Sequence, residues 1–384
     1  MPENDPRPLA GVTIVDLTRV LAGPYCTLVL SNLGARVIKV ERPVRGDDVR
    51  DVGPFRGGFS LYFAALNYDK ESIEVDLKSE AGRSVFERLL DRADVLVENF
   101  RPGTLEKLGY GWEALHARWP RLIYGAASGF GHTGPMSRRP AYDLVAQAMS
   151  GMMSLTGYPD QPPARVGVSI GDMAAALFLS VGLCAALYKR RETGQGVMVD
   201  VAMLDAQIAI LENALTRHLV TGDLPQRTGT RHPNISPFQA FETSDGRLVV
   251  CAGHDELYHV FCDKIGRPEM KSDPRFVTAD DRRVNVAAMQ EEVESVLRTR
   301  PTAHWLEVFE AAGTPCAPVN TVADAVRLPQ VEAREMLRAI PDPRIGTLWV
   351  AGNPIKISGV AEPATHRPPP DVGADGARIL AELD

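Results

Sequence analysis

Five short runs rich in Val, Ile and Leu recur along the first 125 residues, and the segments between them have helical features. The runs are Val12–Leu17, Arg36–Glu41, Ser72–Leu77, Asp94–Glu98 and Leu122–Gly125. Short buried strands alternating with helices dictate an α/β fold with a parallel sheet. Gly23-Pro24 opens the first helix, with proline at a tolerated first-turn position, and Gly34 is a natural stop for it. Ser79 is placed to cap a helix that carries Val85, Phe86, Leu89 and Leu90 on one face.

Beyond Tyr142 the pattern turns helical, with candidate helices at Leu144–Leu155, Met173–Arg191 and Ala202–Val220. Near Thr221 the character changes again. Pro237–Glu242, Ser244-Asp245-Gly246 and Arg247–Cys251 read as a β-hairpin. Helices are expected at Glu256–Ile265, Ala279–Arg298 and Thr302–Ala312, so residues 222–322 form a smaller α+β domain. Residues 1–221 form the large domain, completed by 323–384, where Leu348–Val350 and Ile355–Ile357 read as strands and His366–Pro370 as an extended surface segment.

Composition narrows the function. Lys+Arg is 42 against Asp+Glu 49, a net charge of −7, which argues against a general binder of nucleic acid or of anionic membranes. A local anion site remains compatible with it. Cys26, Cys184, Cys251, Cys262 and Cys316 are an odd set, widely spaced and without CxxC, so neither a zinc ribbon nor a disulfide framework is expected. A cytoplasmic location fits these cysteines. Met1–Pro6 has neither a basic nor an apolar stretch of the kind a signal peptide needs. Met173–Tyr188 is uncharged, but its 16 residues fall short of the ~20 that cross a bilayer, and it reads as a buried core helix.

Familiar motifs are mostly absent. Gly129–Pro135 lacks the spacing and the Lys-Ser/Thr end of a phosphate loop, and no HxxxH or HExxH pair offers a metal site. Gly167-Val168-Ser169-Ile170-Gly171 matches the GxSxG elbow of serine hydrolases, yet a Pro-rich loop stands where the elbow needs a strand. Asp172, at the start of an apolar helix, reads first as a helix cap. Its functional reading is a carboxylate held ionised by the helix N-terminus, with Gly171 leaving room for an incoming carbonyl. A carboxylate can act as a covalent nucleophile on an activated acyl donor. Arg36, Lys39, Arg42, Arg45 and Arg50 follow a strand and form either a solvated loop or an anion site at the sheet's C-terminal edge. Asn99-Phe100-Arg101, at another strand end, offers an amide, an aromatic face and a cation suited to an adenine or a phosphate.

Several segments together resemble the class III CoA-transferase family, which also contains the α-methylacyl-CoA racemases. They are Leu9–Leu17, Ala22–Pro24, Leu33–Glu41, Asp76–Lys78, Val97–Gly103, Tyr142–Gln147 and Gly171-Asp172. The resemblance implies a Rossmann-like large domain, a smaller domain and an interlocked homodimer. It implies coenzyme A and acyl-CoA as substrates, with no metal and no nucleotide redox cofactor. The family's nucleophile falls on Asp172. Its CoA contacts fall on Leu21, Ala22, Arg42, Val75, Asp76, Leu77, Lys78, Asn99, Phe100, Arg101, Lys107, Arg139 and Tyr142, with Lys107 in place of an arginine. The implied activity is reversible transfer of CoA from an acyl-CoA, with succinyl-CoA as the suggested donor, to a free carboxylic acid. The alternatives are an acyl-CoA racemase, or a thioesterase using Ser169. Racemases of the family carry a histidine where this chain has Tyr142, and a phenol is a poor exchanger of α-protons at neutral pH. The loop Thr228–Ile235 has one glycine where formyl-CoA transferase has a glycine run, and Arg231 and His232 are candidates to meet a substrate carboxylate.

Overall fold

The computed structural model describes residues 5–384, so most of Met1–Pro6, expected to carry no signal peptide, lies outside the described residues. The chain divides into two units. One comprises Met1–Met153, Arg165–Asp223 and Gln330–Asp384, and the other Ser154–Ala164 and Leu224–Pro329. Ser154–Ala164 thus groups with the second unit, although it lies within the 1–221 span expected for the large domain.

The first unit is built on six parallel strands: β1 (Thr13–Asp16), β2 (Arg36–Glu41), β3 (Glu71–Glu74), β4 (Val95–Glu98), β5 (Ile123–Ser128) and β6 (Met198–Ala202). Their order across the sheet is β3-β2-β1-β4-β5-β6, so the winding reverses between β1 and β4. The central strands alternate their apolar residues between two cores. Val15, Ile38, Leu96 and Tyr124 face one core with Phe86, Leu89 and Leu90. Ile14, Val37, Val95, Val97 and Ile123 face the other with Cys26, Leu30, Leu179 and Leu183. Covering both faces is what makes these strands continuous apolar runs.

Helix α1 (Ala22–Asn32) and helix α2 (Glu80–Asp91) take opposite faces. The Ser79 hydroxyl accepts the Gly82 N–H at 3.0 Å, the expected cap, worth about 1 kcal/mol. Helix α3 (Asp143–Ser150) stops at Gly151, whose φ of 91° divides the longer helix expected to Leu155. Helix α4 (Ile170–Thr193) is 24 residues long and ends at Gly194, in the left-handed conformation. It is the one described helix long and apolar enough to cross a membrane by length and composition. It is not the wholly buried helix expected. Ala176, Leu179, Leu183 and Leu187 pack on the sheet at helical spacing, while Leu177, Phe178, Val181 and Tyr188 are exposed.

The segment Ala202–Val220 is not one helix. Met198–Ala202 completes the sheet, helix α5 (Met203–Ala209) follows, and Glu212 at φ 57° breaks the chain before Asn213–Thr221. A strand that ends on Ala and runs into a helix without a turn left no sequence boundary to read. Ile355–Ile357 is not a strand either. Gly346–Ala351, which contains the expected strand Leu348–Val350, pairs instead with Leu337–Asp342, a strand that ends next to a proline. The expected surface segment is tied down: His366 packs edge-on to Tyr68 at 5.4 Å, and Asp69 accepts the Arg367 N–H at 2.6 Å.

The second unit holds a three-stranded antiparallel sheet of Phe238–Glu242, Arg247–Cys251 and Cys316–Pro318, with the expected hairpin in register from Phe238↔Cys251 to Glu242↔Arg247. Its own core includes Phe241, Leu248, Val250, Phe261, Val293 and Phe309.

Candidate active site

Ligands of open parallel sheets bind beyond the strand C-termini where the winding reverses. That point lies here between β1 and β4, and a cavity of about 410 Å³ occupies it. The turn after β1 contributes Arg19, Val20, Leu21 and Ala22, and the turn after β4 contributes Asn99, Phe100 and Arg101. Ser128 and Gly129 at the end of β5, Arg139–Tyr142, and Asp172 on the first turn of α4 complete it. A second cavity of about 220 Å³ shares Arg19 and Phe100 with the first and is lined by Arg42, Val75, Asp76, Leu77 and Lys78. The predicted CoA contacts therefore gather in two adjoining chambers, except that Lys107 is exposed and lines neither. Arg231 and His232 belong to the second unit. Arg231 lines a cavity there with Tyr158, Thr228 and Arg247, and the His232 ring packs on Phe238 at 5.3 Å.

Asp172 is not held ionised by its helix. Burial, reinforced by the nearby Asp143 carboxylate, pushes its pKa up to about 7, and the one opposing contact is the backbone N–H of Ala22 at the start of α1. Asp143 is itself buried. Its Oδ1 accepts the Gly171 N–H at 2.8 Å and its Oδ2 accepts from Gln147 Nε2 at 2.7 Å. The Gly171 N–H is already taken, so it is not available to an oxyanion. Nor does Gly171 leave a void: a Cβ there would stand 2.3 Å from Gln207 Nε2 and 3.0 Å from Asp143 Oδ1. Glycine is needed for close packing of α4 against α3 and α5.

The basic group after β2 is not a free anion site. Arg36 pairs with Glu71 at 2.7 Å, Lys39 with Asp47 at 2.8 Å, Arg50 with Glu41 at 2.6 Å and Arg45 with Asp51 at 3.9 Å. Arg42 is bound to Asp48 and to the Gly46 carbonyl. Of the predicted CoA contacts, the cations left for a polyanion are exposed Lys78, Arg101, Lys107 and Arg139, none of which makes an ion pair among the described residues. Ser169 precedes α4 with a loop before it, not a strand, and lines neither chamber. Among the described residues no group of His, Cys, Asp and Glu is arranged to hold a metal.

Beneath the site lies a buried polar network that the sequence did not reveal. Lys70, fully enclosed, reaches Asp16 at 3.2 Å, Asn67 at 3.0 Å, Thr27 at 2.8 Å and the Pro24 carbonyl at 2.9 Å. Despite its burial, Asp16 is held down to about 2 by Lys70, Lys39 and the Thr18 and Thr27 hydroxyls. The network fixes the first turn of α1 onto the end of β1. Lys70 and Asp16 are 54 residues apart, and no local pattern links them.

A doubly wound sheet with two adjoining cavities and a half-buried carboxylate at its switch point has the layout of a ligand-binding α/β enzyme. Comparison with known proteins makes the class specific. A family model described as CoA-transferase family III matches residues 9–376, and the chain belongs to that family. It is 45% identical over 383 residues to the acetyl-CoA:oxalate CoA-transferase of Acetobacter aceti, covering 100% of this chain and 97% of that protein. It is 39% identical over 378 residues to the succinyl-CoA:glutarate CoA-transferase of Mus musculus, covering 98% and 86%. A crystal structure of a CAIB/BAIF family protein from Brucella suis superposes with a TM-score of 0.87 at 39% identity, covering 98% of this chain and 100% of that one.

Proposed function

We propose that this enzyme moves CoA reversibly between an acyl-CoA and a short dicarboxylic acid, with Asp172 as the covalent nucleophile. The observation that carries the reading is the position of Asp172: a half-buried carboxylate with a raised pKa at the mouth of the switch-point cavity. A carboxylate of higher pKa is a stronger nucleophile once ionised, and cavity walls that exclude water protect an anhydride.

Ionised Asp172 attacks the thioester carbonyl and expels CoA thiolate, leaving an aspartyl–acyl anhydride. The thiolate then attacks the aspartyl carbonyl, which gives an aspartyl–CoA thioester and releases the first acid. The incoming carboxylate attacks that thioester, forming a second anhydride and freeing the thiolate again. Attack of the thiolate on the new acyl carbonyl yields the new acyl-CoA and restores Asp172. One thioester is exchanged for another, so the sequence is balanced without ATP. The Ala22 N–H, a helix-terminal donor that lines the same cavity, is suited to stabilise developing negative charge.

The second chamber, with apolar Val75, Leu77 and Leu108 and the cation of Lys78, suits the nucleotide end of CoA; Arg101 and Arg139 flank the first chamber, where the thioester would lie. The relatives' names pair acetyl-CoA with oxalate and succinyl-CoA with glutarate, and both acceptors are dicarboxylates. Acetyl-CoA and succinyl-CoA should each be tested against oxalate, succinate and glutarate by mass spectrometry. Asp172→Ala should abolish transfer and keep CoA binding, and hydroxylamine should trap an acyl-aspartate in the wild type. If Ser169→Ala is dead while Asp172→Ala is active, a hydrolase is correct. Exchange of an acyl-CoA α-proton without acid exchange identifies a racemase.

An interlocked homodimer in the cytoplasm belongs to the same reading, supported by the exposed apolar face of α4 at Leu177, Phe178 and Val181. Native mass spectrometry giving only monomer would exclude the dimer.

A further inference from the structure

The turn between β1 and α1 carries a strained residue. Val20 sits at φ 68°, a left-handed conformation that β-branched residues rarely adopt. Such a backbone persists only where its surroundings over-determine it, and here they do. The Thr18 N–H is accepted by Asp16 at 2.8 Å, and the Thr18 carbonyl accepts from Lys39 Nζ at 2.7 Å. The Val20 N–H is accepted by Asp47 Oδ1 at 3.0 Å. Between these, Arg19 is gripped on both sides by a single side chain. Asn99 Oδ1 accepts the Arg19 N–H at 2.8 Å, and Asn99 Nδ2 donates to the Arg19 carbonyl at 2.6 Å. The next two residues, Leu21 and Ala22, line the cavity, and the Ala22 N–H meets Asp172.

Asp16, Lys39 and Asp47 are buried and tied into ion pairs that serve the whole sheet edge. Asn99 differs. It lines the cavity, 80 residues away in sequence, on the opposite side of the switch point, and its carboxamide bonds both peptide units that flank Arg19. We propose that Asn99 is a positioning residue: it clamps the Arg19–Val20 backbone so that the Ala22 N–H is presented to Asp172, and it does not bind CoA. Asn99 thereby links β4 to the nucleophile across the point where the ligand enters. The inference rests on Asp172 being the nucleophile.

The experiment uses Asn99→Ala and Asn99→Asp in the full chain, with Asp172→Ala alongside, on whichever donor–acceptor pair turns over. In Asn99→Ala, kcat should fall about 10- to 100-fold, the range expected when a reacting group is displaced by about an ångström. The Kd for CoA, read by calorimetry, should stay within about threefold on the same reasoning. The acid limb of kcat/KM should move to higher pH, because the one contact favouring ionised Asp172 is loosened; a loss of folded protein lowers the plateau without moving the limb. Asn99→Asp keeps an oxygen for the Arg19 N–H but loses the donor to its carbonyl, and should fall between wild type and alanine. A CoA Kd weakened tenfold or more with kcat unchanged overturns the proposal in favour of a direct ligand, and an unmoved acid limb overturns it in favour of a structural role. Activity retained by Asp172→Ala refutes the nucleophile itself, independently of what the Asn99 variants do.

Discussion

Replacing Asp143 by asparagine tests what sets the reactivity of Asp172. The Asp172 carboxyl is raised from an ordinary 3.8 to about 7, chiefly by burial and secondarily by the Asp143 charge. That is about three units, or ~4 kcal/mol of bias against the ionised form. Asp143 supplies the smaller part of that rise. In Asp143→Asn the acid limb of kcat/KM, which reports the free enzyme, should therefore slide from near pH 7 to lower pH. At pH 6, where a group of pKa about 7 is only roughly a tenth ionised, that slide should raise kcat/KM relative to its own plateau, by about fivefold for each full unit at most. The plateau should fall, because a less basic carboxylate is a weaker nucleophile. The phosphate monoester of CoA titrates near about 6 but is common to both enzymes and drops out of the difference. Asparagine still offers an oxygen to the Gly171 N–H, but its amino group confronts Gln147 Nε2 and costs about 1–2 kcal/mol in stability. A melting curve separates that cost from the kinetic effect. An acid limb that stays in place, or moves to higher pH, refutes the assignment of the shift to Asp143.

Asp172→Asn should stabilise the fold. With a pKa raised on folding, the neutral carboxyl costs nothing below about pH 4, whereas the ionised group opposes folding increasingly up to about 7, by up to ~4 kcal/mol. The melting temperature of the variant should therefore exceed wild type by a margin that grows from pH 4 to 7 and is level above; a margin independent of pH refutes this. Gly171→Ala should lose transfer activity, since its Cβ overlaps Gln207 Nε2 at 2.3 Å, and pairing it with Gln207→Ala should recover part of it. Lys70→Met strands the enclosed Asp16 carboxylate and should cost about 3–5 kcal/mol in a denaturant titration. A loss below about 1 kcal/mol would mean Lys39 alone suffices to compensate Asp16.

The parts of the fold that could be read from the sequence are those governed by local rules. The five strands of the amino-terminal half, the Ser79 cap and the Phe238–Cys251 hairpin all follow from apolar runs and turn residues. The sixth strand, Met198–Ala202, was hidden because it passes straight into α5 with no punctuating residue. Asp172 was visible as a carboxylate at a helix start, but its electrostatics were not, since they depend on Asp143, 29 positions earlier, and on the depth of the cavity. The basic run after β2 misled for a related reason. Charge density along a chain does not tell which cations have acidic partners, and Glu71, the partner of Arg36, lies 35 residues away. Val20 carries no sequence mark of its left-handed backbone, because the conformation is imposed by Asp47 and Asn99 rather than chosen by valine.

The edge strand β3 has an unusual dependence on the far end of the chain. Asp375 Oδ2 accepts the Ser72 N–H at 3.0 Å across 303 residues, and Ile379 of the helix Gly376–Leu383 is buried in the same core as Ile73. During synthesis the first five strands are all available while this cover is still untranslated. A ribosome adding about 5–20 residues per second leaves the edge of β3 open for roughly 15–60 s. Through that interval its backbone donors and its share of the core are exposed to other nascent chains, so the enzyme's yield in a cell should depend on protection of that edge as much as on the stability of the finished fold.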